Sequence, residues 1–327
     1  MDHKKMSNHH RRLNRRSFMG AAGRLAGGGV AVGAIFDSVR PPSALGQQPA
    51  NQQPAKETHP SSARVVERFK NGFSFQISVD VGTLDLGLTV ARAALAAGVD
   101  IVEMGTPLLK TQGVANVVPA FRKQFPDALL LADMKTMDGG AGEARGVFAG
   151  GGNILDFLAL AGVDTAKSIC AVRDEFRRAG RDEFRRAGPE LPRLVFADIM
   201  LPHQGMAAQG DKGAQAGEVA LRMVEAGVDA VGIHLQADAR RANPKLIEDD
   251  YLGDVARAVF ERIGKAVPVQ VVGGLSIAQA KSLAKAGLRC FVISGNMGLP
   301  DGNARYNLPP AEIQRLVADF IAEVSGR

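Results

Sequence analysis

From Phe75 onward, short apolar runs alternate with longer stretches in which apolar residues recur every three or four positions. The short runs, at 75–81, 101–105, 129–135, 153–159, 193–200, 230–235, 268–274 and 290–296, read as buried strands. The longer stretches, at 85–97, 116–124, 141–149, 164–179, 214–226, 249–263, 277–286 and 310–324, carry the helical period. Eight strands alternating with eight helices predict an α/β protein, a parallel (β/α)8 TIM barrel. An open doubly wound sheet is the alternative, and eight units in roughly 250 residues favour closure. Three helix-to-strand turns echo one another: Ala97-Gly98-Val99-Asp100, Ala226-Gly227-Val228-Asp229 and Ala286-Gly287-Leu288. Each places glycine where the chain must leave a helix through a left-handed residue.

The pattern sets the boundaries: a barrel over 66–327, a polar Pro-containing linker over 47–65 and a leader over 1–46. The leader's basic region ends in Asn14-Arg15-Arg16-Ser17-Phe18-Met19-Gly20, which resembles a twin-arginine export signal. A Gly/Ala-rich stretch from Ala21 to Phe36 follows, and Ala44-Leu45-Gly46 suits cleavage before Gln47. This reading sends the mature protein to the periplasm. A disordered basic N-terminus on a cytoplasmic protein is the alternative. Arg24 and several glycines break the apolar stretch, so no membrane span is expected.

The net charge of +6 suggests nucleic acid until it is located. Residues 1–60 hold nine Lys/Arg and three acids, and the remainder balances at 31 of each sign. The barrel is neutral, without Trp and with only two Tyr, which excludes nucleic acid as its main partner. Cys170 and Cys290 have no metal-type spacing and read as buried, inert thiols. A repeat, Asp174–Gly180 and again Asp182–Gly188, reads as a local duplication lengthening the fourth helix or its loop, its arginines on a solvated face.

One segment concentrates the chemistry. In Leu129-Leu-Leu-Ala-Asp-Met-Lys-Thr-Met-Asp-Gly-Gly140, an apolar strand runs into charge. Alternation puts Asp133 and Lys135 on one face and Asp138 in the loop beyond. Charges at a strand end face water, or else they pair, bind a metal or line a polar cavity. Residues at the C-terminal strand ends of such a barrel share one mouth. That rule adds Asp80, Glu103, Asp198 and His234. Taken singly, Asp80 also reads as a helix cap and His234 as a core histidine. Three carboxylates against one lysine suit a hard divalent cation such as Mg²⁺, and no His/Cys cluster suggests zinc. Gly273-Gly274 and Gly295-Asn296 end the last two strands, where such barrels place a phosphate.

Residues 73–300 resemble the 3-hexulose-6-phosphate synthases of the orotidine-5′-phosphate decarboxylase superfamily. The matching motifs are Glu103-Met-Gly-Thr-Pro-Leu-Leu-Lys110 with Gly113, and Ala132-Asp-Met-Lys-Thr-Met-Asp-Gly-Gly140. His234 with Asp238, Gly273-Gly274 and Gly295 agree as well. The continuation Lys-Thr-Met-Asp-Gly-Gly looks like the synthase, where 3-keto-L-gulonate-6-phosphate decarboxylases tend to read Lys-Ile-Ala-Asp-Ala-Gly.

The resemblance implies a Mg²⁺-dependent lyase that adds the enediolate of ribulose 5-phosphate to formaldehyde, and the reverse. It implies Glu103 and Asp133 as metal ligands, with Asp80 and Lys135 steadying the enediolate and His234 moving protons. It implies Gly274 and Gly295 holding the phosphate through main-chain N–H groups, and Asp138 reaching into the neighbouring site of a homodimer; Asp198, Gly273 and Asn296 join them as candidate substrate and phosphate contacts by their place at the strand ends. Two departures stand out. Asn296 occupies a position where an arginine often grips phosphate, and Leu235, Gln236 and Ala237 replace the arginines that decarboxylase relatives carry after the strand-6 histidine. Arg240 and Arg241 are the nearby candidates to compensate. The alternatives are a decarboxylase of a 3-keto sugar acid and an exported barrel that binds a sugar acid or phosphate without turnover.

Overall fold

A computed structural model of the chain describes residues 60–182, 191–202, 210–248 and 250–326. The leader and most of the linker, with the export reading that rests on them, lie outside these residues. Eight strands form the barrel: β1 (Ser74–Val79), β2 (Ile101–Met104), β3 (Leu129–Thr136), β4 (Ile154–Leu158), β5 (Leu194–Leu201), β6 (Ala230–Leu235), β7 (Val269–Val272) and β8 (Cys290–Ile293). Each pairs in parallel with the next and β8 pairs with β1, which closes the sheet and removes the open alternative.

The helices are α1 (Ser62–Asn71), α2 (Leu84–Ala97), α3 (Thr106–Gln112), α4 (Val114–Gln124), α5 (Gly140–Ala149) and α6 (Gly162–Asp182). They continue with α7 (Lys212–Glu225), α8 (Ala237–Ala242), α9 (Lys245–Glu248), α10 (Tyr251–Ile263), α11 (Ile277–Lys285) and α12 (Pro310–Ser325). Four of these, α1, α3, α8 and α9, were not predicted; the last three are too short to show a helical period. Among the described residues, no helix is long and apolar enough to cross a membrane.

The α1 helix corrects the expected linker boundary at 65. It starts at Ser62 with Ser61 as its N-cap, and it buries Val65 and Phe69. These two side chains pack with Ile101, Leu129, Leu131, Ile154, Leu194, Phe196, Ala230 and Cys290 at the N-terminal ends of the strands. The helix is therefore a plug that closes the bottom of the barrel. Cys290 Sγ donates to the Phe69 carbonyl at 3.2 Å, and Ser62 Oγ accepts from the Arg193 N–H at 2.9 Å. Both cysteines are free and buried, and burial pushes the Cys290 thiol up to about 12.

The barrel interior is layered. Above the apolar plug lies an amide layer, in which Gln270 donates to Gln76 at 2.8 Å and Gln76 donates to Glu103. Above that, the inward positions become ionic. The second main core fills the space between sheet and outer helices, with Ile77, Leu108, Leu130, Phe121, Phe148, Phe157 and Phe320 fully buried.

The first copy of the repeat lies in α6, while its second copy extends outside the described residues. One of its arginines departs from the solvated reading. Arg177 donates to Asp229 at 2.8 Å and to the Arg193 carbonyl at 2.9 Å, tying α6 to the turn before β6.

Removing the plug's aromatic ring tests this layering. Phe69→Ala is expected to cost about 3–5 kcal/mol, the usual cost of deleting a buried phenyl group. It should lower the urea midpoint with little change in the slope of the transition.

Candidate active site

The site is built on a bulge. Between β3 and β4 the register steps from Asp133 opposite Asp156 directly to Thr136 opposite Phe157, so β3 spends three residues where β4 spends one. Within the bulge Lys135 takes a left-handed conformation, φ +49°, which is rare for a residue with a Cβ. Simple alternation therefore does not explain why Asp133 and Lys135 face inward together; the bulge does. Lys135 Nζ donates to Asp133 and lies 3.4 Å from Asp198 on β5.

Asp198 also holds His234, with Nδ1 2.8 Å from its Oδ2. Burial would raise the Asp198 carboxyl, but Lys135 and His234 outweigh it and hold Asp198 below the usual range. An ionised carboxylate accepts only, so the imidazole donates through Nδ1 and keeps Nε2 for other work. Lys135 is the counterpart. Burial alone would depress its ammonium, yet Asp133, Asp198, Asp156 and Glu103 together hold it well above the ordinary value.

Across the mouth, Ser78 Oγ bridges two carboxylates, 2.9 Å from Asp80 and 2.8 Å from Glu103. Thr106 Oγ1 donates to Asp133 at 2.7 Å. One oxygen from each of Asp80, Glu103 and Asp133 lies within 4.8 Å of the others. Such crowding disfavours ionisation. Burial, and then the neighbouring Asp133, raise Asp80, and the same causes raise Glu103 well above the carboxylate range. Gly105 makes the approach possible, since a Cβ there would run into Asp80 Oδ1 and come within 2.6 Å of the Val79 carbonyl.

These groups line a cavity of about 470 Å³ at the C-terminal ends of the strands. Of the predicted residues, Asp80, Glu103, Asp133, Lys135, His234, Gly273, Gly274, Gly295 and Asn296 line it together. Asp138 does not: it is exposed on the rim, its Oδ1 accepting from the Gly139 N–H at 2.7 Å. Asp198 comes to the site as the holder of Lys135 and His234, not as a ligand for an anion, which its charge would repel.

Asn296 corrects its expected phosphate role. It is buried, and its amide nitrogen points at the carbonyls of Gly274, Leu275 and Leu299 at 3.1, 3.0 and 2.8 Å. Three acceptors fix which side of the amide is nitrogen, and its donors are spent on joining the loops after β7 and β8.

Two functional side chains escaped the sequence reading. Tyr306 donates to the Ser78 carbonyl at 2.7 Å and lies 3.5 Å from Asp80 Oδ2. Its rarity, one of two tyrosines, was the available signal. Asp156, inside the apolar run of β4, is buried with Oδ1 unpartnered, and burial, then Asp198, push its carboxyl well above the usual range.

A family model for the orotidine 5′-phosphate decarboxylase / HUMPS family matches residues 66–295. The chain belongs to this family. Among family members, it is 28% identical over 218 residues to a 3-hexulose-6-phosphate synthase of Methylomonas aminofaciens, covering 66% of this chain and 87% of that protein. It is 31% identical over 103 residues to a probable 3-keto-L-gulonate-6-phosphate decarboxylase of Haemophilus influenzae, covering 32% and 45% respectively. A crystal structure of a 3-hexulose-6-phosphate synthase superposes with a TM-score of 0.56 at 25% identity, over 76% of this chain and 99% of the other. As a member of a decarboxylase and synthase family with a converged set of ionisable groups, the chain is an enzyme of the lyase class.

Among the described residues, Lys135 is the cation paired with the central carboxylates Asp133 and Asp198. Its removal is expected to cost about 3–5 kcal/mol, because buried carboxylates are left unbalanced. In Lys135→Met the carboxyls already raised by burial, Glu103 and Asp156, lose the lysine that opposes the shift and hold protons still more tightly in the folded than in the unfolded state. The deficit against wild type should therefore be small near pH 4 and grow as pH rises above it. Urea unfolding of both proteins at pH 5 and pH 8 checks the sign.

Proposed function

We propose that the protein is an aldehyde-lyase of the 3-hexulose-6-phosphate synthase type, joining the enediolate of ribulose 5-phosphate to formaldehyde and catalysing the reverse. The observation that carries this reading is the inward pair Asp133–Lys135 on the β3 bulge, facing Glu103, Asp80 and the Asp198-held His234 in one cavity.

The donor set fits a hard divalent cation. All three convergent groups are carboxylates, two of them, Asp80 and Glu103, are held toward the neutral form by burial and by their neighbours, and no nitrogen or sulfur competes among the three. Glu103 and Asp133 would hold Mg²⁺, which when bound supplies positive charge toward the substrate's oxygens. The other steps belong to the chain's own residues. His234, oriented through Nδ1, exchanges the proton at the reacting carbon through Nε2. Lys135 donates to the oxygen on which negative charge develops, from a site already organised by Asp133 and Asp198. Asp80, steadied by Ser78 and Tyr306, takes a substrate hydroxyl. The glycine-bearing ends of β7 and β8 receive the phosphate.

Pairing of two copies completes the reading. Asp138 stands exposed on the rim, next to the exposed apolar Met137 (47%), and Leu160 (40%) is exposed in the turn after the neighbouring β4. A second copy set on this face would bury both and place Asp138 at the partner's mouth. The twin-arginine-like leader supports export of this enzyme.

Ribulose 5-phosphate and formaldehyde, with and without Mg²⁺, provide the assay: metal-dependent loss of formaldehyde is expected, and its absence overturns the synthase reading. Conversion of a 3-keto sugar acid phosphate with release of carbon dioxide would favour the decarboxylase alternative. Lys135→Ala should lower kcat roughly 10²–10³-fold, the scale seen when one preorganised donor is lost. Independently, Mg²⁺ at about 100 times its dissociation constant should raise stability by about 2.7 kcal/mol, a shift of roughly 5–10 °C in Tm. That shift should vanish in Asp133→Asn.

A further inference from the structure

The anion end of the cavity lacks the arginine expected after β8, and the structure shows a different cation there. Arg240, on α8 after β6, reaches across so that Nη1 donates to the Gly273 carbonyl at 3.1 Å and lies 3.4 Å from that of Gly274. Gly273 and Gly274 both have positive φ, +132° and +73°, and a Cβ on Gly274 would collide with the guanidinium. The glycine-bearing end of β7 is thus shaped to let Arg240 lie against it.

The charge inventory of the cavity singles this residue out. Its lining contains three cations, Lys135, Arg240 and Arg241. Lys135 is spent on Asp133 and Asp198. Arg241 is mostly exposed and pairs with Asp238 at 2.7 Å. Arg305, behind the β8 loop, is spent on Asp301 and on the carbonyls of Asn296 and Asn303. Arg240 has no carboxylate partner among the described ion pairs, and its Nη1 contacts are to neutral carbonyls only. A guanidinium carries five donors in a planar fork, so Nη2 and Nε remain for a ligand. The acidic groups Asp80, Glu103 and Asp133 lie at one end of the cavity and Arg240 at the other, so an anionic group is drawn toward Arg240.

We propose that Arg240 is the phosphate-recognising cation of this enzyme, delivered from the helix after β6 in place of a residue after β8, with Asn296 released to staple the two glycine loops. This rests on the reading that the substrate is a phosphorylated ketose, and the test separates the two. Steady-state kinetics with ribulose 5-phosphate and with unphosphorylated ribulose, and calorimetric binding of inorganic phosphate, are measured on the full chain for wild type, Arg240→Met and Arg240→Lys.

The expected result is a roughly 10- to 100-fold rise in KM for ribulose 5-phosphate in Arg240→Met, the scale of one charge-assisted contact, with kcat changed less than about threefold. The preference for the phosphorylated over the unphosphorylated ketose should shrink by the same factor. Inorganic phosphate should bind correspondingly more weakly and with less dependence on salt, and Arg240→Lys should recover part of each effect. Equal losses on both ketoses would mark Arg240 as a loop support only, and unaltered phosphate binding would overturn the proposal outright. If wild type turns over neither ketose, the synthase reading fails, while the phosphate-binding arm still decides the role of Arg240.

Discussion

The site depends on a single ammonium group held among carboxylates inside a barrel. Asp133, Asp156, Asp198 and Glu103 all act on Lys135, and each is buried. Removing an ion from water costs several kcal/mol, and each close attraction returns about 4 kcal/mol at 4 Å in surroundings of intermediate polarity. One lysine with one partner would roughly break even. With several it stays charged, and that surplus also offsets the left-handed strain at φ +49°, of order 1–3 kcal/mol. The bulge is therefore a device with a purpose. It turns the lysine onto the same face as Asp133 and returns Thr136 to the ladder opposite Phe157.

One ammonium does not neutralise the whole mouth. Asp198 is settled by Lys135 and His234, but Asp80, Glu103 and Asp156 are all pushed toward their neutral forms. Asp156 differs from the other two. It sits in β4 with no hydroxyl or amide on Oδ1, whereas Asp80 and Glu103 share Ser78 and open onto the cavity. The residual demand for positive charge is thus concentrated at the β1–β2–β3 side, where one oxygen each of Asp80, Glu103 and Asp133 lies within 4.8 Å of the others. The acids there are preorganised by neutral donors, Ser78, Gln76 and Thr106, which orient oxygens without cancelling their charge.

Much of this was legible in the sequence, and the reasons differ by element. Strands buried on both faces wrote themselves as apolar runs, so all eight appeared, and an acid or histidine at the end of such a run marked the mouth. β7 and β8 came out shorter than expected because Gly273, Gly274 and Gly295 are turn residues that sequence alone could not separate from the runs before them. The α1 plug was hidden in polar-looking sequence, since only Val65 and Phe69 of its ten residues are buried. The partition of the charges was not legible at all. Whether Asp198 binds substrate or holds Lys135, and whether Asn296 grips phosphate or staples loops, depends on distances between strands far apart in the chain.

The same geometry separates the two ends of the cavity physically. Carboxylates on β1, β2 and β3 set one pole, and their positions are locked by the bulge and by Gly105 at close range. The opposite pole sits on loops after β6, β7 and β8, where the phosphate proposal needs only a cation within reach of the glycine-bearing turns. A guanidinium on α8 meets that need as well as one on the β8 loop would under the phosphate proposal, in which the phosphate is a point of attachment and not a reacting group. With Arg240 against the Gly273 and Gly274 carbonyls, the residue after Gly295 needs no charge under that proposal. It becomes free to serve packing, and a buried asparagine that ties Gly274, Leu275 and Leu299 together is what stands there. The catalytic pole tolerates no such exchange, since Lys135 is tied to Asp133 and Asp198 at fixed range and any substitute cation would have to enter through the same strained turn.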